Sequence, residues 1–437
     1  MGTILLILPF STVQPGCLHP VDALFTAASA TCVTGLIVVD TGTAFTPVGK
    51  TVILLLIQLG GLGIMTMSTF FLVLLGKRPT IHDRLILLNT MGNARVRSWK
   101  SLLKTVVLTT LLLESCGAAI LAWRFHHGYG LVPGKALAYG VFHSISAFCN
   151  AGFALFPDSL MGFGSDPWIT GTIAVLILIG GIGFLVLFNL IQYRFWRRDR
   201  TRRGRIHLHS KLAVLMSLIL LLGMFFPLIV GEWNHALKGM EAGEKVERAF
   251  FQAVTPRTAG FNTIDVDRLS PTNLWITMFM MFVGASPCGT GGGIKTVTFV
   301  ILLASVIALV TQRKNVVIFK RTVPNKTVLE ALSISVLAFL LVFAGSVLLF
   351  CVEDPAISVG SPGGYFGEIL FETVSAFGTV GLSTGITPHL SYLGKLIIAT
   401  VIFMGRVGPL AIALAIGRAS PPPLAQVKYP EDLVVVG

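Results

Sequence analysis

Four short strings in this chain share one residue and one setting: Cys32, Val33, Thr34, Gly35; Cys149, Asn150, Ala151, Gly152; Arg257, Thr258, Ala259, Gly260; and Gly378, Thr379, Val380, Gly381. Only the glycine is common to all. Glycine allows backbone angles that turn a carbonyl toward an axis where a side chain would collide. Four such segments can surround one axis, and their carbonyl oxygens can then replace the hydration shell of a cation. The chemistry open to these residues is therefore coordination of a monovalent cation by backbone oxygen, potassium at the carbonyls being the expected metal. With one shared glycine in place of a full TVGYG string, discrimination against sodium should be real but weaker than in a tetrameric potassium channel.

The setting of each glycine repeats along the chain. Ten residues earlier stand Phe25, Phe142, Phe250 and Phe371, and six earlier Ser29, Ser146 and Ser375, with Val254 the exception and Thr255 beside it. Leu36, Phe153, Phe261 and Leu382 follow the glycines directly, and acids lie thirteen before three of them, at Asp22, Glu247 and Glu368. Those acids are expected in the first turn of a short helix, where the positive dipole end favours them. A further glycine recurs 24 to 28 residues on, at Gly60, Gly180, Gly284 and Gly405. At Gly60 and Gly180, close helix approach is the simpler reading.

Each unit thus reads as outer helix, short half-helix, extended glycine segment and inner helix, with 108 to 121 residues from glycine to glycine. The expected fold is an all-α polytopic membrane protein of four tandem helix/pore-loop/helix repeats around a pseudo-fourfold central pore. The repeats fall at 1–95, 96–205, 206–322 and 323–420, and 421–437 forms a C-terminal tail outside the membrane.

Composition agrees with a lipid environment. The 437 residues are 54% hydrophobic and 12% charged, against about 25% charged in soluble domains. Apolar runs long enough to span occur at 48–75, 102–123, 168–191, 212–230, 328–352 and 393–416. The net charge of +13 is concentrated in three links, 77–104, 194–211 and 313–326; six of the nine residues from Arg197 to Arg205 are Arg. By the positive-inside rule these links are cytoplasmic and the pore loops face outward. Basic links beside membrane helices are topogenic, so no nucleic-acid partner is inferred. An enzyme is not expected, since no H-E-x-x-H, no G-x-S-x-G and no intramembrane Asp/His cluster occurs. The six cysteines are scattered without metal-ligand spacing, and His207 and His209 read as part of a solvated Arg-rich link. The apolar stretch from Ile4 to Phe10 covers only about 10 Å as a helix, so the first helix is expected to be truncated.

The stretch from Asn273 to Val310 is 38 residues, about 57 Å if helical, which exceeds what a membrane needs. Its break is written at 284–296, GASPCGTGGGIKT. Irregular backbone at that depth should line a cavity, and an obstructing loop that moves on activation is the functional reading. A passive kink competes with it, although four glycines among residues 289 to 293 exceed what a kink needs. A phosphate loop does not fit, since Ile294 precedes Lys295. Arg406 holds the equivalent place in the fourth unit and is costly there unless paired or facing water. Holding loop carbonyls in a closed state is its expected role, with a structural pairing to Glu114 as the alternative. The expected gate is Gly284, Gly289, Thr290, Gly291, Gly292, Gly293, Lys295 and Arg406.

The strings DALFTAASATCVTGL, FHSISAFCNAGF, FFQAVTPRTAGFN and FETVSAFGTVGLSTG, with IQLGGLG and FMGRVGPL, resemble the Ktr/Trk/HKT superfamily of cation transporters, in its bacterial Ktr branch. The departure is the short start. The resemblance implies a homodimer with one pore per subunit in the bacterial inner membrane, in contact with membrane lipid. It also implies a cytosolic ring of nucleotide-binding regulatory subunits of Ktr type, with nucleotide on that partner only. Potassium is implied as substrate and sodium as activator. Glycine at all four positions, Gly35 included, goes with potassium transport; a sodium-selective or weakly selective cation transporter of the same fold is the alternative.

Overall fold

The computed structural model describes residues 1–14, 16, 18–63, 99–192, 207–287 and 289–408. The tail at 421–437 and most of the first two basic links lie outside them. Three helices among these residues are long and apolar enough to cross a membrane: Val106–Tyr129, Leu208–Glu232 and Asn325–Val352. Four pairs of shorter helices accompany them. A short helix comes first in each pair, at Pro20–Thr31, Pro133–Phe148, Ala242–Val254 and Gly364–Gly378. A second helix follows at Pro47–Gly61, Pro167–Ile182, Pro271–Phe282 and Tyr392–Val407, called here the inner helices.

The sequence starts the inner helices explicitly. Pro opens the first three, where its missing N–H costs nothing. Thr46, Asp166, Ser270 and Ser391 cap all four, accepting a first-turn backbone N–H at 3.3, 3.1, 3.4 and 3.1 Å. Two of these caps are held in turn by the end of the preceding outer helix. Ser270 Oγ donates to Glu232 at 2.6 Å and Ser391 Oγ to Glu353 at 2.7 Å, a separation of 38 residues in both cases.

The pairs pack in a closed order. The first inner helix lies on the second short helix, the second on the third, the third on the fourth, and the fourth returns to the first. An ion pair of 2.7 Å between Lys395 and Asp22 joins the last contact, and both side chains are largely buried there. Thr170 donates to Glu247 at 2.6 Å across the contact between second and third units.

Several expectations are corrected. The run at 168–191 is two helices, Pro167–Ile182 and Phe184–Gln192, separated by Gly183 at φ +98°. Gly63 and Gly408, also three residues beyond an inner-helix glycine, take φ of +83° and +94°. Helix ends therefore occur at the same place in three units, whereas the sequence reading foresaw a break in the third unit only. There the chain leaves the helix at Val283 and resumes it at Thr296. Of the three acids, only Asp22 stands in a first turn; Glu247 and Glu368 stand deeper, because their helices begin at Ala242 and Gly364. His207 and His209 do not sit in a solvated loop but at the start of the Leu208–Glu232 helix.

The third unit is also offset by one residue. Phe250 is partly exposed and its neighbour Phe251 is fully buried, like Phe25, Phe142 and Phe371. Thr255 takes the place of the serines, as its hydrogen bonds below establish. Glu247 thereby falls out of the acid series.

Candidate functional site

The four glycines meet. A Cβ placed on Gly35 would stand 2.5 Å from the carbonyl oxygen of Ala151 and 2.9 Å from Gly152 Cα. One on Gly152 would stand 2.9 Å from the oxygen of Ala259, one on Gly260 would strike that of Val380, and one on Gly381 that of Thr34. The order is the same closed one followed by the helices, so the first and third segments face each other, as do the second and fourth. Every glycine takes positive φ, at +96°, +69°, +80° and +94°. So does the residue two before it: Val33, Asn150, Thr258 and Thr379 lie between +49° and +65°. A left-handed non-glycine residue costs about 1–2 kcal/mol, and the same cost recurs at the same place in all four segments. Backbone that alternates in hand turns successive carbonyls to one side, which is the geometry cation coordination by carbonyls requires.

Hydroxyls at the helix ends hold this conformation. Ser29 Oγ donates to Leu36 O and Ser146 Oγ to Phe153 O, both at 2.8 Å, and Thr255 Oγ1 donates to Phe261 O. Ser29 and Ser375 Oγ each accept the N–H of their own glycine, Gly35 and Gly381, at 3.1 Å. The N–H groups of Thr34, Ala151, Ala259 and Val380 return to the carbonyls of Ser29, Ser146, Thr255 and Ser375 at 2.8, 2.7, 3.0 and 2.9 Å. The short helices end at these segments, so their negative dipole ends face the same place.

Several other side chains of the four strings pack sideways. Asn150 Nδ2 donates to Arg257 O and Thr258 Oγ1, both at 3.3 Å, tying the second segment to the third. Arg257 is buried and its Nη2 donates to Ser217 Oγ at 2.7 Å on an outer helix. Cys32 and Cys149 are buried free thiols, and Gly378 lies against Met281 O. On one side of the glycine circle is a cavity of about 170 Å³, lined by Gly35, Gly152, Gly260, Gly381, Asp158 and Ser383 among others. Beside it, Asp265 lies next to the lining residue Val266; burial and then the neighbouring Asp267 push its carboxyl up to about 6.

On the other side lies the glycine-rich loop. A Cβ on Gly291 would strike Thr258 Oγ1, and one on Gly292 would stand 2.6 Å from Thr379 Oγ1. The loop also bonds to the second unit, Ser286 N–H to Gly181 O at 3.1 Å and Thr290 N–H to Gly180 O at 3.3 Å. Gly284 N–H donates to Ile294 O at 2.9 Å, closing the loop's base, and Gly293 takes φ +67°. Gly289 has no room for a side chain against Gly181 O, and Lys295 Nζ donates to Gly291 O at 2.6 Å. Arg406, half-buried at the end of the fourth inner helix, donates to Thr290 O in the loop and to Gly60 O in the first unit. Glu114 is engaged elsewhere, by Gln58 Nε2 at 3.2 Å, and no ion pair with Arg406 occurs among the described residues. Gly60, Gly180 and Gly405 lie hard against the carbonyls of Thr31, Phe148 and Phe377 near the ends of the short helices, with no space for a side chain.

The sequence reading thus named residues that the fold brings together. It missed the helix-ending glycines Gly63, Gly183 and Gly408, whose signal is G-x-x-G in QLGGLGIM, LIGGIGFL and FMGRVGPL. It also missed Glu232 and Glu353, whose signal is the repeated spacing to Ser270 and Ser391.

A sequence model of the family described as TrkH, cation transport protein, matches residues 7–422. The chain is 39% identical over 439 residues to the Ktr system potassium uptake protein B of Bacillus subtilis, covering 100% of this chain and 94% of that protein. To the potassium/sodium uptake protein NtpJ of Enterococcus hirae it is 33% identical over 438 residues, covering 100% and 94%. Its fold is similar to the crystal structure of the potassium transporter TrkH from Vibrio parahaemolyticus, with a TM-score of 0.68 over 91% of this chain and 78% of that one, at 18% identity.

Proposed function

The chain belongs to the TrkH family of cation transport proteins, and from that premise we propose that it is the membrane-embedded, ion-conducting subunit of a potassium uptake system. It is an ion transporter and not an enzyme. The observation that carries the reading is the circle of four glycines, each with positive φ and each closed against the backbone of the next segment. In this reading the four units are tandem repeats around a pseudo-fourfold pore, and the four strings are its selectivity filter. The cavity beside the glycines is the outer mouth, and the basic links are cytoplasmic.

The gate is the loop of residues 283–295. It occupies the inner side of the filter by touching Thr258 and Thr379, and Arg406 fastens it to the first unit. Two copies form the transporter. A cytosolic nucleotide-binding ring releases the loop, sodium acts as activator, and the nucleotide resides on the ring. The relatives named as components of a Ktr system support an assembly of more than one kind of subunit. The exposed hairpin of Val317–Ile318 and Arg321–Thr322, within a basic link, is the docking surface in this reading.

The test is growth of a potassium-uptake-deficient bacterium on limiting potassium, expressing this chain with a Ktr-type regulatory partner. Rescue that is lost in Gly381→Asp supports potassium uptake through the glycine circle. No rescue, with the wild-type protein present in the membrane, refutes it in favour of a sodium transporter of the same fold.

A further inference from the structure

Nine residues before the glycine, counting the third unit with its offset of one, the short helices carry four different side chains: Thr26, His143, Gln252 and Glu372. All four are buried. Two of them do the same thing. His143 Nε2 accepts the N–H of Leu155 at 3.3 Å, and Glu372 Oε1 accepts the N–H of Thr384 at 3.1 Å. Leu155 and Thr384 are each the third residue after their glycine, on the outward continuation of the segment. The other two positions do not reach this amide. Thr26 donates to Asp22 O at 2.8 Å, and the side-chain amide of Gln252 has no hydrogen-bond partner among the described residues.

The two acceptors are well defined. His143 Nδ1 donates to Tyr139 O at 2.8 Å, which leaves Nε2 as the acceptor and makes the ring neutral. Phe125, Phe142 and Phe156 pack around it. Glu372 receives the hydroxyls of Ser383 and Thr387 as well as the Thr384 amide. Three donors and no acceptor suit a carboxylate. Glu368, one turn earlier, is the titratable neighbour and is itself engaged by the Ser361 N–H at 2.8 Å.

We propose that His143 and Glu372 are positioning residues that fix the outer ends of the second and fourth filter segments, and through them set the discrimination between potassium and sodium. The proposal rests on the reading of the glycine circle as a cation path. The second and fourth segments face each other across that circle, so the two braces act on opposite walls. Each glycine is then held on both sides: before it, the N–H groups of Ala151 and Val380 return to the carbonyls of Ser146 and Ser375, and after it, the N–H groups of Leu155 and Thr384 reach His143 and Glu372. A carbonyl held at both neighbours cannot turn inward to follow a smaller cation, whereas one released on its outer side can. The third unit is held differently, by Arg248 donating to the carbonyl of Thr263 at 2.5 Å. Burying a histidine and a glutamate here carries a desolvation cost that a bare scaffold does not require.

The test uses the purified full chain in liposomes, reading potassium flux against sodium flux per folded molecule. His143→Leu and Glu372→Met remove the acceptors; His143→Gln and Glu372→Gln keep one. Each of the first pair is expected to lower the potassium-to-sodium ratio by about fivefold, the size of one lost hydrogen bond, and each glutamine variant to recover most of it. An unchanged ratio in well-folded His143→Leu and Glu372→Met overturns the proposal, as does a lower yield of folded protein whose ratio per molecule matches wild type. Gly381→Asp runs alongside. Persistent potassium flux in that variant defeats the cation-path reading itself, independently of either brace.

Discussion

Arg406 offers the most direct test of the proposed gate. Its two terminal nitrogens donate to Thr290 O in the loop and to Gly60 O at the end of the first inner helix. When the loop moves, the bond to Thr290 is broken while the one to Gly60 can remain, so a single charged hydrogen bond favours the closed state. Such a bond contributes about 1.5–3 kcal/mol. At 1.4 kcal/mol per factor of ten, Arg406→Gln raises the open-to-closed ratio by roughly 10- to 150-fold. If the open state is populated at about 1% in the absence of a regulator, the flux rises at least several-fold before it saturates. Loss of the positive charge from the path acts in the same direction. The assay is the initial rate of potassium entry into liposomes with no partner protein present. The expected order is Arg406→Gln above Arg406→Lys above wild type, since lysine keeps the charge but has a single nitrogen to offer in place of two. A rate for Arg406→Gln at or below wild type, with the protein folded, refutes the reasoning.

Three further perturbations test other parts of the fold. Lys395→Met strands the buried Asp22 carboxylate, now paired at 2.7 Å, and should cost roughly 3–5 kcal/mol, seen as a lower Tm in detergent; the double variant with Asp22→Asn should regain much of it, and no regain would count against the pair. Gly35→Ser places a Cβ 2.5 Å from Ala151 O at φ +96°, so the potassium-to-sodium flux ratio should fall by about tenfold for ~1.4 kcal/mol of strain; an unaltered ratio removes Gly35 from the filter. Asp265 is raised from its ordinary 3.8 to about 6, by burial first and then by Asp267. Its ionised form is therefore disfavoured by the fold, a stabilising contribution present below about pH 4 and lost as pH rises through 6. Asp265→Asn should accordingly raise Tm at pH 7.5 and leave it unchanged at pH 4, and equal gains at both would contradict the assignment.

What could be read from the sequence follows from what each position demands. The circle was legible because positive φ beside another backbone admits only glycine, so the requirement is written in the residue type. Arg406 was legible because a guanidinium at that depth must find oxygen; its partners, Thr290 and Gly60, are set by the meeting of three units and leave no local trace. The offset of the third unit was hidden by the adjacent Phe250 and Phe251, two identical residues of which only one is buried. The helix ends at Gly63 and Gly183 were hidden because a hydropathy run counts glycine as neutral and passes through it. Glu232 and Glu353 look like ordinary surface acids at helix ends, and only their common distance to a capping serine gives them away.

The four units are alike where the backbone acts and unlike where a side chain acts, and the proposed mechanism needs both. A circle of carbonyls requires four similar segments, because each one closes against the next. A gate on the axis requires one: the loop of the third unit already reaches Gly180 and Gly181 of the second and Thr379 of the fourth, leaving no space for three more. The same holds for charge. Four copies of Arg406 around the path would place like charges together in a medium of low dielectric, where repulsion between unit charges reaches several kcal/mol at short range. One copy can instead spend both ends of its guanidinium on carbonyls of two other units. Joining the units in a single chain allows the gate and its latch to exist once while the glycine circle exists four times. The braces at His143 and Glu372, present in two facing units and absent from the other two, fall between these limits.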